Sequence, residues 1–515
     1  MKKIPPITKL LDSIDYFISI FKNERIQLAI IAVFAVIVLF AKLGAGGLAS
    51  LDDCYYAQQA KEILQTGDWL TMHYQGKPLH ENDPVCLWSM AFMFKTFGIS
   101  EFSARFHSAF FGVLTIILIY FLGRLLYNHR VGIFSSVILL TTQIFTKYAR
   151  HAMLDVTLTF FVILSLFFFV KAVKEEGKTT DNKNALYFLL FGVSTGIAIL
   201  TKNLLGVFPL LTAAFHTLFN KGFTRRFSFN LTFAAVIALA LPSIWYFYSY
   251  KTSGLEFFRV HFGYIIFDRS LKENAGKQDF WSYTSYAAAI FKFYQPWIFL
   301  ALAGFILMIT KWIKEKDKGS IILIIHVTLT LIILSLSNAR KIWYIMPVFP
   351  AFAVMASLFT NNYILKSEKA RSIALVSLFG AGAILSGIIL FTPVRLDWNR
   401  NADIKAIAPF VKEIVPEGQR ILTYQTEEYF AVQLPLIFYS DRSANYPITE
   451  KEEMLKLVKA KEQIYGLTYM ESFSKLGKPA EIIVRYGELV FFTNKPIKNK
   501  KLPLYENLIS YEIRR

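Results

Sequence analysis

The chain has 515 residues, 54% of them hydrophobic and 49 of them Phe, a composition far outside that of soluble globular domains. A net charge of +19 would suit nucleic acid, but only 18% of residues are charged and they gather between long apolar runs. The basic residues therefore have to be sorted by membrane side before any other partner is considered. Two cysteines, Cys54 and Cys86, exclude a disulfide scaffold and a Cys-rich metal site.

The first apolar run follows a basic leader of about 25 residues and lacks a small-residue cleavage pattern, which reads as a retained span rather than a signal peptide. A span needs roughly 20 mostly apolar residues. Runs of that kind cover residues 26–43, 103–127, 131–148, 153–173, 185–200, 204–219, 229–250, 287–309, 320–337, 342–361 and 372–391. The expected fold class is a polytopic α-helical membrane protein of about eleven spans. Lys202-Asn203 divides the apolar stretch 185–219, which reads as two helices meeting at a tight turn.

Lys and Arg in short loops set the orientation. With the N-terminus cytoplasmic, His129-Arg130 and residues 171–183, 221–226, 311–318 and 366–371 form basic inside loops. Residues 50–102 then form a first outer loop. It carries Asp52, Asp53, Glu62, Asp68, Glu81, Asp83 and Glu101 against Lys61, Lys77 and Lys95. An odd number of spans puts residues 392–515 outside as well, and there the composition turns soluble. Residues 402–414 read as an amphipathic helix and 450–461 as a charged one. Residues 420–424, 482–485 and 488–493 read as strands. The expectation is a membrane domain over 1–391, with outer loops 50–102 and 251–286, and a C-terminal soluble α+β domain outside the membrane.

Within the first outer loop, Tyr56, Ala57, Ala60, Ile63 and Leu64 share one face at helical spacing, and Gly67 follows as a C-terminal cap. Ser50 and Asp53 have capping-box spacing, which accounts for Asp53 but only in part for Asp52. Asp83 stands where it would cap a short helix over 85–97, with Pro84 near its first turn. Glu81 has no such local use. His80 and Glu81 are adjacent oxygen and nitrogen donors, a pattern more often solvated than metal-bound. Cys54 and Cys86 share this loop, where an oxidised pair would tie its two helices together.

Arg150, Lys202, Arg340 and Lys341 lie at the outer ends of spans, and Asp155 lies just inside one. A charge at the centre of a span costs about 2.5–3.5 kcal/mol, so such residues face a cavity or a partner. The bland alternatives are an Arg150–Asp155 pair and a snorkelling Lys202. Together, three basic turns and an acidic loop on one face make a site with cations for an anion and carboxylates for proton transfer. A lipid phosphate is the anion that arrives at that depth.

Several of these stretches resemble a known family. They are Leu51-Asp52-Asp53-Cys54-Tyr55-Tyr56-Ala57, Gly67-Asp68-Trp69-Leu70-Thr71, Glu81-Asn82-Asp83-Pro84 with Trp88, and Phe97-Gly98-Ile99-Ser100-Glu101-Phe102-Ser103-Ala104-Arg105. Arg150-His151-Ala152-Met153-Leu154-Asp155, Leu200-Thr201-Lys202 and Arg340-Lys341-Ile342-Trp343-Tyr344-Ile345-Met346-Pro347 continue the series. As an ordered set this resembles the polyprenyl-phosphate-dependent glycosyltransferases of the C-type fold, in the branch of the lipid A aminoarabinose transferase and the protein mannosyltransferases.

The resemblance implies an integral-membrane glycosyltransferase of the bacterial inner membrane. It would move a sugar, with inversion, from a polyprenyl-phosphate donor to a lipid, glycan or protein acceptor on the outer face. By position it implies catalytic roles for Asp52 and Asp155, and donor-phosphate contacts from Lys202, Arg340, Lys341 and Tyr344. It also implies a divalent metal at Glu81 and His261, the one cofactor to consider. The chain departs from the pattern in two places: Glu81-Asn82-Asp83-Pro84 stands where the family often has Glu-Lys-Pro-Pro, and Tyr55 stands where Arg is common. Both remove positive charge. Tyr264, Phe280 and Trp281 of the loop 251–286 suit sugar stacking and a lid. The rival from another class is a transporter or flippase of lipid-linked sugar without chemistry, which predicts charges at the bilayer midplane and repeated halves. Here the charges gather at one face.

Overall fold

The structure is a computed structural model that describes residues 23–49, 52–176, 181–220, 223–272, 284–392, 401–426, 429–477 and 480–497. The apolar runs form helices, several of which open on a capping side chain. Helix α1 (Glu24–Phe40) starts at Asn23, whose side chain accepts the Arg25 N–H. After it come α2 (Asp52–Thr66), a two-strand hairpin of β1 (His73–Tyr74) and β2 (Lys77–Pro78), and α3 (Pro84–Phe97). Helix α4 (Glu101–Leu126) opens with a capping box between Ser100 and Ser103. Helices α5 (His129–Leu140), α6 (Gln143–Ala149), α7 (Leu154–Glu175), α8 (Asp181–Gly206), α9 (Phe208–Phe219) and α10 (Arg225–Ser253) follow. A single turn α11 (Leu255–Phe258) leads into a π-helical segment, Arg259–Lys272.

Beyond it lie α12 (Ser285–Phe293), α13 (Ile298–Glu315), α14 (Lys318–Leu336), α15 (Val348–Phe359) and α16 (Glu368–Phe391). Among the described residues, α4, α7, α8 from Lys183, α10 and α14 are each long and apolar enough to cross a membrane. The bent pairs α5–α6 and α12–α13 raise that number from 5 to 7 when each pair counts as one span. On α10, Phe229, Phe233, Val236, Ile244 and Phe247 are all more than half exposed. Such a stripe suits contact with lipid. The helices cross closely where small residues permit: Gly304 of α13 lies so near the Met355 backbone of α15 that a β-carbon would collide.

Three expected spans are broken. The run 131–148 bends by 68° between α5 and α6, and the run 287–309 by 116° between α12 and α13. The run 342–361 begins as a 3-10 turn, Ile342–Ile345, and becomes α15 only after Pro347, whose ring nitrogen has no N–H to donate back into a helix. The stretch 185–219 forms two helices as read, with its backbone break at Lys202.

Past residue 400 come α17 (Ala402–Ile414), β3 (Leu422–Thr423), α18 (Tyr429–Ser440), α19 (Lys451–Val458), β4 (Tyr465–Tyr469), α20 (Met470–Ser474), β5 (Glu481–Tyr486) and β6 (Leu489–Thr493). The strands form a 4-stranded sheet in the order β3-β4-β6-β5, parallel at β3–β4 and antiparallel elsewhere. Helix α18 and strand β4 were not among the expected elements. Helix α18 matters most, because its Leu434 and Phe438 complete the apolar core under the first outer loop, with Cys54, Ala57, Ala60, Ile63, Cys86, Leu87 and Met90.

Candidate active site

The acids of the first outer loop divide by what they touch. Glu62 is buried and accepts the N–H groups of Gln75 and Gly76 at 2.8 and 3.0 Å, so it holds the β1–β2 turn. Asp68 accepts from Leu70 and Thr71 at 2.9 and 3.0 Å. Glu101 accepts the Tyr439 hydroxyl at 3.1 Å and pairs with Lys405. Asp53 is buried and accepts the Ala49 N–H at 3.3 Å, a local role as its spacing implied, while the expected cap residue Ser50 lies outside the described residues. Those four are structural.

Asp52 opens α2, half-buried, at the edge of a cluster that the fold assembles from distant segments. Its charge bears on Tyr56 of the same helix and on Lys202 at the end of α8. Burial pushes the Tyr56 phenol far above the usual range, and the Asp52 and Asp155 charges push it further. Tyr56 therefore keeps its proton.

Lys202 breaks α8 with an extended backbone, φ −161° and ψ 81°. The chain then doubles back so tightly that Gly206 lies against the backbone of Ala198 and Ile199, where any side chain would collide. This turn delivers the Lys202 ammonium to 2.7 Å from Asp155 Oδ1 and 4.4 Å from the ring centroid of Tyr344. Lys202 does not snorkel. Asp155, in the first turn of α7, is 1% exposed, and its Oδ2 has no hydrogen-bond partner among the described residues. Tyr286, which the sequence reading missed, donates to the Lys341 carbonyl at 3.1 Å, within electrostatic reach of Tyr344, Arg340 and Asp155. Arg340 is half-buried and donates through Nε to Ser335 O at 3.1 Å; Lys341 is exposed. Asp52, Asp155, Lys202 and Tyr344 thus form one cluster, with Arg340 nearby and the Lys341 side chain on the surface.

Arg150 does not pair with Asp155. Its guanidinium donates to the carbonyls of Val38, Leu39 and Ala41 at 2.7, 3.1 and 3.0 Å, groups left without intrahelical partners where α1 ends. Arg105 does the same for Leu43, Ala45 and Gly47. These two arginines fix the strand of chain that leads to Asp52. Cys54 and Cys86 are free and buried, so no disulfide joins α2 to α3.

The residues do not fit the metal expected at Glu81 and His261. Among the described residues no three His, Cys, Asp or Glu side chains gather as a metal site. Both ring nitrogens of His261 are engaged: Nδ1 with the His80 carbonyl at 2.9 Å, Nε2 with Asp83 and Asn203 at 3.4 Å each. Glu81 accepts the Tyr55 hydroxyl at 3.0 Å, and Asn82 donates to Gln59 at 3.0 Å. Both departures from the family pattern, Tyr55 and Asn82, therefore tie α2 to the segment before α3. Asp83 makes no cap bond to α3, against the expectation from its position. Tyr264 is exposed, while Phe280 and Trp281 lie outside the described residues.

Residues 26–262 match the model of the dolichyl-phosphate-mannose-protein mannosyltransferase family. An uncharacterized protein of Aquifex aeolicus is 27% identical over 343 residues, 65% of this chain and 64% of that protein. The undecaprenyl phosphate-α-4-amino-4-deoxy-L-arabinose arabinosyl transferase 1 of Pseudomonas fluorescens is 26% identical over 351 residues, 67% of this chain and 62% of that protein. The matches thus span under two thirds of the length of these relatives. The crystal structure of ArnT from Cupriavidus metallidurans bound to undecaprenyl phosphate superposes with a TM-score of 0.72 at 17% identity, covering 91% of this chain and 98% of that one. The oligosaccharyltransferase of Archaeoglobus fulgidus superposes with a TM-score of 0.56 at 12% identity, over 86% of this chain and 70% of that one. The resemblance read from the loop residues is borne out.

Proposed function

Because the chain has the C-type fold of the polyprenyl-phosphate-dependent glycosyltransferases, we propose that it transfers a sugar from a polyprenyl phosphate to an envelope acceptor with inversion at C1. One observation carries this reading: a lysine ammonium held between a buried carboxylate and a tyrosine ring, within electrostatic reach of a second carboxylate, Asp52. The acceptor oxygen attacks C1 and gives its proton to Asp52. The bond from C1 to the phosphate oxygen breaks, and polyprenyl phosphate leaves with the bonding electrons. Lys202, with Arg340 and Tyr344 beside it, meets the charge that grows on the phosphate. In a site this dry, such stabilisation is worth far more than in water. Asp155 orients Lys202. A carrier without chemistry gives the Asp52 carboxylate nothing to do.

In this reading α1, α9, α15 and α16 join the seven longer spans, for about eleven in all. The site lies at the outer face of a bacterial inner membrane, and residues 392–515 form a domain outside it. The relatives named for aminoarabinose transfer make an amino sugar the first donor to test, with lipid, glycan and protein acceptors in turn. The test is transfer by purified protein from a radiolabelled polyprenyl-phosphate sugar, wild type against Asp52→Asn. Loss of a general base lowers the rate by about 10²–10⁴-fold; full activity in the variant removes Asp52 from the chemistry.

A further inference from the structure

Asp83 stands at the head of α3, yet its carboxylate turns away from that helix. Oδ2 accepts the backbone N–H of Asn203 at 2.8 Å, Oδ1 accepts the Tyr246 hydroxyl at 3.3 Å, and Oδ1 faces His261 Nε2 at 3.4 Å. These partners come from the turn that ends α8, from α10, and from the segment Arg259–Lys272. Asp83 is 3% exposed, Asn203 9% and His261 0%. His261 is held in place by the His80 carbonyl on one side and by stacking on Phe257, ring centroids 5.0 Å apart, on the other.

The physical need for this arrangement comes from the break at Lys202. An extended residue inside a helix ends the i→i−4 ladder, so the following N–H loses its helical acceptor. Buried, that group must be satisfied some other way. A carboxylate is the strongest acceptor a side chain offers. Asn203 is the residue next to Lys202, so the bond fixes the backbone from which the ammonium is presented. The family pattern often has Glu-Lys-Pro-Pro here. Asp83 takes the place of the first proline, so the carboxylate is a feature of this chain.

We propose that Asp83 is a positioning residue of the transfer site: it clamps the Lys202 turn so that the ammonium is aimed between Asp155 and Tyr344, and it does so without a metal ion. This rests on the reading of Lys202 as the donor-phosphate cation. The clamp ties the turn to α10 and to the Arg259–Lys272 segment, so an outer-loop element and a phosphate-binding cation share one buried anchor.

The test uses the full chain in nanodiscs with Asp83→Ala and Asp83→Asn, reading hydrogen exchange of the peptide 198–207 and affinity for polyprenyl phosphate. In Asp83→Ala the Asn203 region exchanges about tenfold faster or more, and polyprenyl phosphate binds about tenfold more weakly. Exchange in α14 stays unchanged, which reports an intact fold. Asp83→Asn keeps a carbonyl acceptor and falls between. In turnover the loss falls on both KM for the donor and kcat, because Lys202 holds the donor phosphate and meets the charge that grows on it; a smaller folded fraction alone would lower kcat and leave KM unchanged. A chelator leaves wild-type binding unaltered. The proposal is overturned if a folded Asp83→Ala shows unchanged exchange at 198–207, if it binds polyprenyl phosphate normally, or if chelation abolishes wild-type binding. Should Asp83→Ala fail to fold, Tyr246→Phe removes one clamp contact, and unchanged exchange there also overturns it. If wild type transfers from no donor, the functional reading falls, while exchange and binding still judge the clamp.

Discussion

The Lys202 ammonium and Asp155 form a direct ion pair of 2.7 Å in which the carboxylate is 1% exposed. Removing either partner alone strands the other in a low-dielectric site, at about 3–5 kcal/mol for a buried pair. Lys202→Met and Asp155→Asn should therefore each lower thermal stability clearly, and the double variant should recover part of the loss. Both singles should also lose most transfer activity. A double-mutant cycle in detergent, with melting followed by tryptophan fluorescence, checks the coupling. Additive losses would show that the two side chains do not depend on each other.

Tyr344 places its ring 4.4 Å from the same ammonium. A desolvated cation–π contact is worth up to about 2 kcal/mol, so Tyr344→Leu should weaken polyprenyl-phosphate binding by about tenfold, while Tyr344→Phe stays near wild type. Titration of the lipid phosphate by tryptophan quenching distinguishes the two. Equal effects from both substitutions would mean that the hydroxyl, and not the ring face, is what counts.

Helix α2 is anchored from below by the C-terminal segment. Lys61 is nearly buried, donates to the Phe438 carbonyl at 2.7 Å and pairs with Asp441. Burial alone would raise the Asp441 carboxyl, but hydrogen bonds and charge from Lys412 and Lys61 outweigh it and hold the group below its usual 3.8. A depressed folded pKa gives stability that is complete above pH 3.8 and is lost as pH falls through the folded value. Docking of α18 should therefore persist to about pH 4 and fail below it. Asp441→Asn should remove that acid transition. Limited proteolysis between α17 and α19 across a pH series is the measurement.

Cys54 and Cys86 are fully buried, and burial raises both thiols, Cys86 to about 12. Neither forms thiolate near neutrality, so maleimide should label neither in the folded protein and both after denaturation. Intact mass should show two reduced thiols without added reductant. A mass lower by two hydrogens would show an oxidised pair.

The sequence by itself determined the class of the protein and named most residues of the candidate site. Apolar runs of span length and the sorting of Lys and Arg between loops are local properties of the chain, so helices and loops were readable from them. Asp155 and Lys202 stood out because charged residues at the ends of apolar runs need a reason to be there, whereas Tyr344 and the catalytic role of Asp52 came from the family resemblance. What needed tertiary structure was which charge meets which. Arg150 looked like the partner of Asp155 five residues away, yet it caps the end of α1, and Lys202 reaches Asp155 from 47 positions along the chain. Asp83 looked like a helix cap and instead holds Asn203, 120 positions away. Spacing reports only neighbours on one element. A side chain aimed across elements leaves no periodic trace, and its partner is fixed only when the helices cross.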